Sequence, residues 1–278
     1  MNLYHEFLTN IHFLSHNYFI LFSYLIFMGF LSGFIDAIAG GGGLISLPAL
    51  ILTGMPISEA LGSSKLQGSV GTGVAVYKYY REGLIQFSTV CRGLIMGLIG
   101  AVCGACLVNY VSNQFMQFIV PFLLLGVFVF NFFQKSLGVH PGVKRLPEHI
   151  FFPVFGFILG FYDAFFGPGT GNFWIISIVF FLGYTFLEAS GYAKILNLKS
   201  NLFSLIIFIF YGKVNFLLGI VMAIGQMLGG YLGAHAVILK GSKLVRPFFL
   251  SVVFINMMVT FYTLMPNFMD IIGKFSII

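Results

Sequence analysis

Charge is the scarcest commodity in this chain of 278 residues. Only 8% of them are Asp, Glu, Lys or Arg, against roughly a quarter in a soluble domain. With so little polar surface, the 59% of residues that are hydrophobic, 36 of them Phe, cannot be covered from water. The chain is predicted to have lipid as its solvent. The net charge of +6 comes without an Arg-rich tail or a zinc-finger spacing, so nucleic acid is not expected as a partner. Basic residues of membrane proteins collect in cytoplasmic loops instead. The polar segment 1–16 holds no Lys or Arg, and no small-residue cleavage site follows it. The first apolar run therefore reads as a retained membrane helix rather than a cleaved signal. No GxxxxGK[ST] sequence is present, which argues against ATP as the direct energy source.

Cysteine is nearly as scarce. Cys91, Cys103 and Cys106 all lie in one apolar stretch, the last two as CxxC, with no His or second CxxC close by. They read as small apolar residues packed in a helix, not as a redox or metal motif. No metal, no cofactor and no catalytic residue is expected.

What the chain has in abundance is apolar runs. They fall at about 17–39, 43–54, 57–80, 84–109, 114–133, 150–167, 172–183, 186–211, 214–239 and 245–265. A full crossing takes about 20 residues. Stretches 43–54 and 172–183 are too short for that, and each follows a Gly-rich break. Open strands cannot exist in lipid, so both are predicted to be half-helices or re-entrant segments.

The two halves match. Residues 29–42 read GFLSGFIDAIAGGG and residues 156–169 read GFILGFYDAFFGPG. Asp36 thus pairs with Asp163, and Gly40 with Gly167. Two residues out of step, Gly54 pairs with Gly183, Glu59 with Glu188, Lys65 with Lys194, Gly83 with Gly212, Gly100 with Gly229, and Gly104 with Gly233. The expected fold is all-α and integral to the membrane. Its first repeat would be 17–133, its second 150–265, joined by a cytoplasmic linker at 134–149 and closed by a tail at 266–278. Lys78, Arg81, Lys135, Lys144, Arg145, Lys240, Lys243 and Arg246 occupy the loops that would then lie inside, with Lys213 the exception. That distribution places the N-terminus outside and makes the repeats inverted in topology.

Ionisable groups inside a membrane are functional candidates. Here they are Asp36, Glu59, Lys65, Arg92, Asp163, Glu188, Lys194 and Lys199. Lys194, Asn197 and Asn201 share one helix face by spacing, as do Lys65, Gly68 and Thr72. A lysine among neutral donors suits a small oxyanion. Equally, each lysine can serve only to neutralise a carboxylate. Asp36, Glu59, Asp163 and Glu188 are coupling or structural carboxylates, and Asp36 and Asp163 stand where the N–H groups of the breaks could bond them. The candidate substrate-binding set is Gly40, Gly41, Gly42, Gly43, Lys65, Gly167, Gly169, Gly171, Lys194, Asn197 and Asn201. The glycines would expose N–H groups at the positive end of each half-helix. Gly93, Gly97, Gly100 and Gly104, with Gly225, Gly229 and Gly233, read as seams for close helix contact.

The stretch GFIDAIAGGGGLISLPALILTGMPISEALGSSKLQGSVGT, with GFYDAFFGPGTGNFW and EASGYAKILNLKSN in the second half, resembles the sulfite exporter TauE/SafE family of membrane permeases, in particular its bacterial branch of membrane transporters. The resemblance implies a secondary permease, multi-pass in the cell inner membrane. Its partners would be the lipid bilayer and a small anion, such as a sulfur-containing oxyanion or an organosulfonate. A non-sulfur organic anion is the alternative, and a homo-oligomer is left open. Ser63 and Ser64 depart from the family's Thr-Asn, Ala164 from its Gly, and Tyr192 interrupts its second Ala-x-Ala-Lys pattern, all close to the expected site. A second class, an intramembrane aspartyl protease, finds a superficial echo in Tyr162-Asp163 and Pro48-Ala49-Leu50. The chain has no GxGD sequence, and PAL lies in the wrong half.

Overall fold

The computed structural model describes residues 17–107 and 140–241 apart from Phe166 and Pro168, together with Pro247, Phe248, Ser251 and Phe254. Among them it is all helical. The order is α1 (Tyr18–Ala39), α2 (Gly43–Ile51), α3 (Ile57–Arg81), α4 (Phe87–Leu107), α5 (Glu148–Phe165), α6 (Thr170–Ser177), α7 (Phe186–Phe210) and α8 (Phe216–Lys240). A π-helical turn, Ile178–Leu182, prolongs α6. The expected segments 114–133 and 245–265, the segment 1–16 and the tail 266–278 lie outside the described residues, isolated positions of 245–265 excepted. The linker is described from His140, and its last two residues, Glu148 and His149, belong to α5.

Among the described residues, five helices are long and apolar enough to cross a membrane: α1, α5, α7, α8 and the Val90–Leu107 portion of α4. The short segments are short in the structure too. Helix α2 has 9 residues, about 14 Å at the helical rise, under half of a bilayer core. Helix α3 is as long as α7, at 25 residues, yet it carries Ser63, Lys65, Gln67, Ser69 and Thr72 into the interior. It is the polar partner of the apolar set.

Helix starts have chemical causes. The Asn17 side chain accepts from the N–H groups of Phe19 and Ile20 at the start of α1. Asn215 does the same for Leu218 in α8, and its own N–H donates to Ser63 Oγ at 2.8 Å. Thr185 and Glu188 form a reciprocal capping box on α7, satisfying donors that the first turn leaves unpaired.

Packing exchanges helices between the halves. Helix α4, from the first half, lies against α5 of the second. Helix α8, from the second half, lies against α1 of the first. Glycine makes both contacts close: a methyl group on Gly100 or Gly104 would overlap the carbonyl oxygens of Phe157 or Phe161, and one on Gly229 or Gly233 would overlap those of Phe30 or Phe34. Those glycines and their phenylalanine partners are matched in the sequence repeat. Such seams gain dispersion contact that bulkier residues would forbid.

All three cysteines belong to α4, and all three are free and exposed. The heavy use of apolar residues hid which face of α4 they take.

Candidate functional site

Helix α1 ends at Gly40, with φ +80°, and α5 breaks at Gly167, with φ +81°. At these left-handed angles a side chain would strain the backbone, so glycine permits both turns. The two breaks then meet. Gly40 and Gly171 approach so closely that a methyl group on either would overlap the backbone of the other.

Beside this contact lies a polar cavity of about 40 Å³, room for a few water-sized groups. Its wall takes Asp36, Gly40, Gly43, Lys65, Asp163, Gly167, Gly169, Gly171, Asn197 and Asn201 from the expected set. Gly41 and Gly42 do not line it, although the N–H of Gly42 donates to Asp36 Oδ1 at 3.3 Å. Lys194 lies behind the wall, with no exposed surface. Ser46, Ser64, Gln67, Gly68, Thr72, Thr170 and Gln226 complete the lining. Gly68 and Thr72 shared a face with Lys65 by spacing. Gln226 had only its polarity within an apolar helix to mark it.

The charged groups pair across the halves. Lys65 Nζ lies 2.9 Å from Asp163 Oδ1, and Lys194 Nζ lies 2.9 Å from Asp36 Oδ2. Each lysine thus takes the carboxylate of the other repeat. Lys65 also donates to the Asp163 carbonyl oxygen at 2.8 Å and to Asn201 Oδ1 at 3.3 Å. The Lys194 contact is an ion pair off the axis of a hydrogen bond. Thr72 donates to the same Asp36 oxygen at 3.4 Å. Both pairs are buried, where removal of one partner would strand a charge. The two aspartates face lysines and not one another, unlike a carboxylate dyad sharing a proton.

Several buried polar atoms here have no partner within the described protein: Asp163 Oδ2, Ser46 Oγ, Gln67 Oε1 and Asn197 Oδ1. Burying such atoms unsatisfied is costly. The two amides could present NH₂ instead of oxygen after a flip.

Other candidates sit elsewhere. Glu188 Oε2 accepts from both the N–H and the Oγ of Thr185, at 2.9 and 2.8 Å; it caps a helix. Glu59 takes the matching position in the first turn of α3. Neither lines the cavity. Arg92 is exposed on α4, beside a surface groove formed with Ser88, Lys144 and Glu148. Of the departures from the family pattern, only Ser64 lines the cavity. Ala164 packs against Ala101 and Ala105, Tyr192 joins the main core, and Ser63 receives the Asn215 N–H. Among the described residues, no cluster of His, Cys, Asp and Glu could hold a metal ion.

Membrane-length helices around a buried polar cavity at two helix breaks describe a multi-pass membrane transporter. The family model described as "Sulfite exporter TauE/SafE" matches residues 25–259, and the chain belongs to this family. A "Probable membrane transporter protein" of Haemophilus influenzae is 38% identical over 240 residues, 86% of this chain and 93% of that protein. The "Probable membrane transporter protein YfcA" of Escherichia coli K12 is 37% identical over 228 residues, covering 82% and 85% of the two chains. The "Probable membrane transporter protein ORF9" of Sinorhizobium sp is 36% identical over 227 residues, 82% of this chain and 87% of that protein. No solved structure matches the chain.

Proposed function

We propose that this transporter is a secondary permease for a small anion, with a sulfur-containing oxyanion or an organosulfonate as its substrate class, in the cell inner membrane. The observation that carries the reading is the meeting of both helix breaks, both aspartates and Lys65 at one buried cavity. The family description, a sulfite exporter, supplies the sulfur class.

The chemistry is that of competition. Helix α2 begins at Gly43 and α6 at Thr170, where first-turn N–H groups and the positive end of the helix favour an anion. An oxyanion entering the cavity competes with Asp163 and Asn201 for the protons of Lys65. Asn197 is a neutral donor in reach of the same cavity. Without a Walker sequence, a gradient drives the flux.

The repeats 17–133 and 150–265 are read as inverted, with the 134–149 linker inside, so that the site lies between two units able to rock. The exchange of α4 and α8 between the halves, and of lysine partners, supports a twofold relation. Alternating access around a fixed midplane site is the use other transporters make of such symmetry.

The test is flux in liposomes holding purified protein, driven by a substrate gradient alone. Labelled sulfite, thiosulfate, taurine and sulfoacetate are offered beside simple carboxylates. Saturable flux of a sulfur anion supports the reading. Flux of carboxylates alone moves it to a non-sulfur organic anion, and the absence of any anion flux overturns it.

A further inference from the structure

Among the described residues, the charged side chains buried in the membrane core are Asp36, Lys65, Asp163, Lys194 and Lys199. Four of them form the two crossed pairs. Lys199 is left over. Its Nζ rests on the carbonyl oxygen of Gly93, at 3.3 Å, and none of the ion pairs among the described residues includes it. Only 9% of its surface is exposed.

Its seat is specific. The ammonium fills the space above Gly97, where a methyl group would overlap it, between α4 and the Gly156 carbonyl of α5. In the sequence repeat, Gly97 corresponds to Gln226. Gln226 fills the matching seam in the other half, against Gly33 and Gly71, and its amide is neutral. Lys199 itself corresponds to Val70. One half therefore carries a neutral amide where the other carries a cation. Asn197 and Asn201, two residues to either side of Lys199 on α7, line the cavity.

We infer that Lys199 is a charge-selecting residue: it leaves the core one positive charge in excess, so the cavity takes a monoanion in preference to a dianion. Among the described residues three buried lysines stand against two buried aspartates, and one negative charge from the ligand makes that set neutral. A dianion would overshoot by one, and uncompensated charge within a membrane is costly in either sign. The inference rests on the anion-permease reading and adds the charge of the substrate to it. Lys199 is not one of the residues lining the cavity and acts through the field, so its role is positioning and selection.

The experiment measures binding by purified full-length protein to methanesulfonate and to sulfate, two tetrahedral sulfur oxyanions that differ by one charge, with acetate as a monoanion lacking sulfur. Native protein should prefer methanesulfonate over sulfate by about tenfold or more. Lys199→Gln should weaken methanesulfonate binding by about tenfold while the ligand-free melting temperature stays level or rises, since an unpaired buried charge has been removed. Lys199→Arg, which keeps the charge, should restore the methanesulfonate affinity. A residue with only a packing role would show the reverse, a lower melting temperature with affinity unchanged, and that result overturns the inference. Equal or tighter binding of sulfate overturns it as well, while leaving the anion reading standing. Binding of acetate alone keeps the charge rule and removes the sulfur class. Binding of none of the three overturns both readings together.

Discussion

Lys194 Nζ lies 2.9 Å from Asp36 Oδ2, and their counterparts in the other repeat, Lys65 and Asp163, stand at the same 2.9 Å. Each repeat hands its lysine to the other's aspartate. The pairs therefore hold the two halves to one another, and whatever loosens a pair loosens that contact.

The first prediction concerns this exchange. Asp163→Asn should destabilise the protein by roughly 3–5 kcal/mol, because Lys65 is then a buried cation without its counter-charge. Lys65→Gln together with Asp163→Asn should recover most of that loss, since no charge is left stranded. Chemical denaturation of the purified variants measures it. A double variant no more stable than Asp163→Asn alone would show that the pair is not what the single substitution disrupts.

The contact of the breaks gives a second. Gly171→Ala places a methyl group against the backbone of Gly40, which cannot yield as a flexible side chain could. Transport should be abolished. Gly73→Ala is the control, since its methyl group would meet only Leu198 Cδ1 at 3.8 Å, and in a helix interior alanine should add up to about 1 kcal/mol of stability. Flux by both variants in liposomes checks the contrast, and active Gly171→Ala protein would mean that the breaks can part freely.

Glu188 separates capping from coupling. Glu188→Ala removes one side of the capping box and should cost roughly 0.5–2 kcal/mol of stability. Anion affinity should not change, because Glu188 lies off the cavity. A shift in the pH dependence of transport in this variant would return Glu188 to the coupling path.

Topology can be read from one matched pair of positions. Glu82 and Tyr211 are exposed and stand just before the matched turns at Gly83 and Gly212. In a protein with Cys91, Cys103 and Cys106 replaced by Ser, which should transport as the native protein does, Glu82→Cys and Tyr211→Cys should label from opposite sides of the membrane. Labelling of both from one side would make the repeats parallel.

The sequence alone determined the membrane class, the helical segments in the described regions, the two breaks and the burial of Asp36, Asp163, Lys65 and Lys194. These are local matters: a run of apolar residues, a glycine where a side chain would be strained, a carboxylate with no polar neighbour in the chain. Which lysine meets which aspartate was not local. Lys65 and the Asp163 it binds are 98 residues apart, and the repeat made Asp36 and Asp163 equal candidates. Only the docking of α4 on α5 and of α8 on α1 decided it, because those glycine seams bring the second half's break beside the first half's lysine. The same docking brought Gln226 to the cavity and left Lys199 without an ion-pair partner among the described residues. The capping role of Glu188 had a sequence signature in Thr185, three residues before it. The matched Glu59 drew attention to the repeat instead, and the tertiary position, at a helix start away from the cavity, told the two roles apart. Burial without a partner is a property of neighbours in space, and the order of residues along a chain does not contain it.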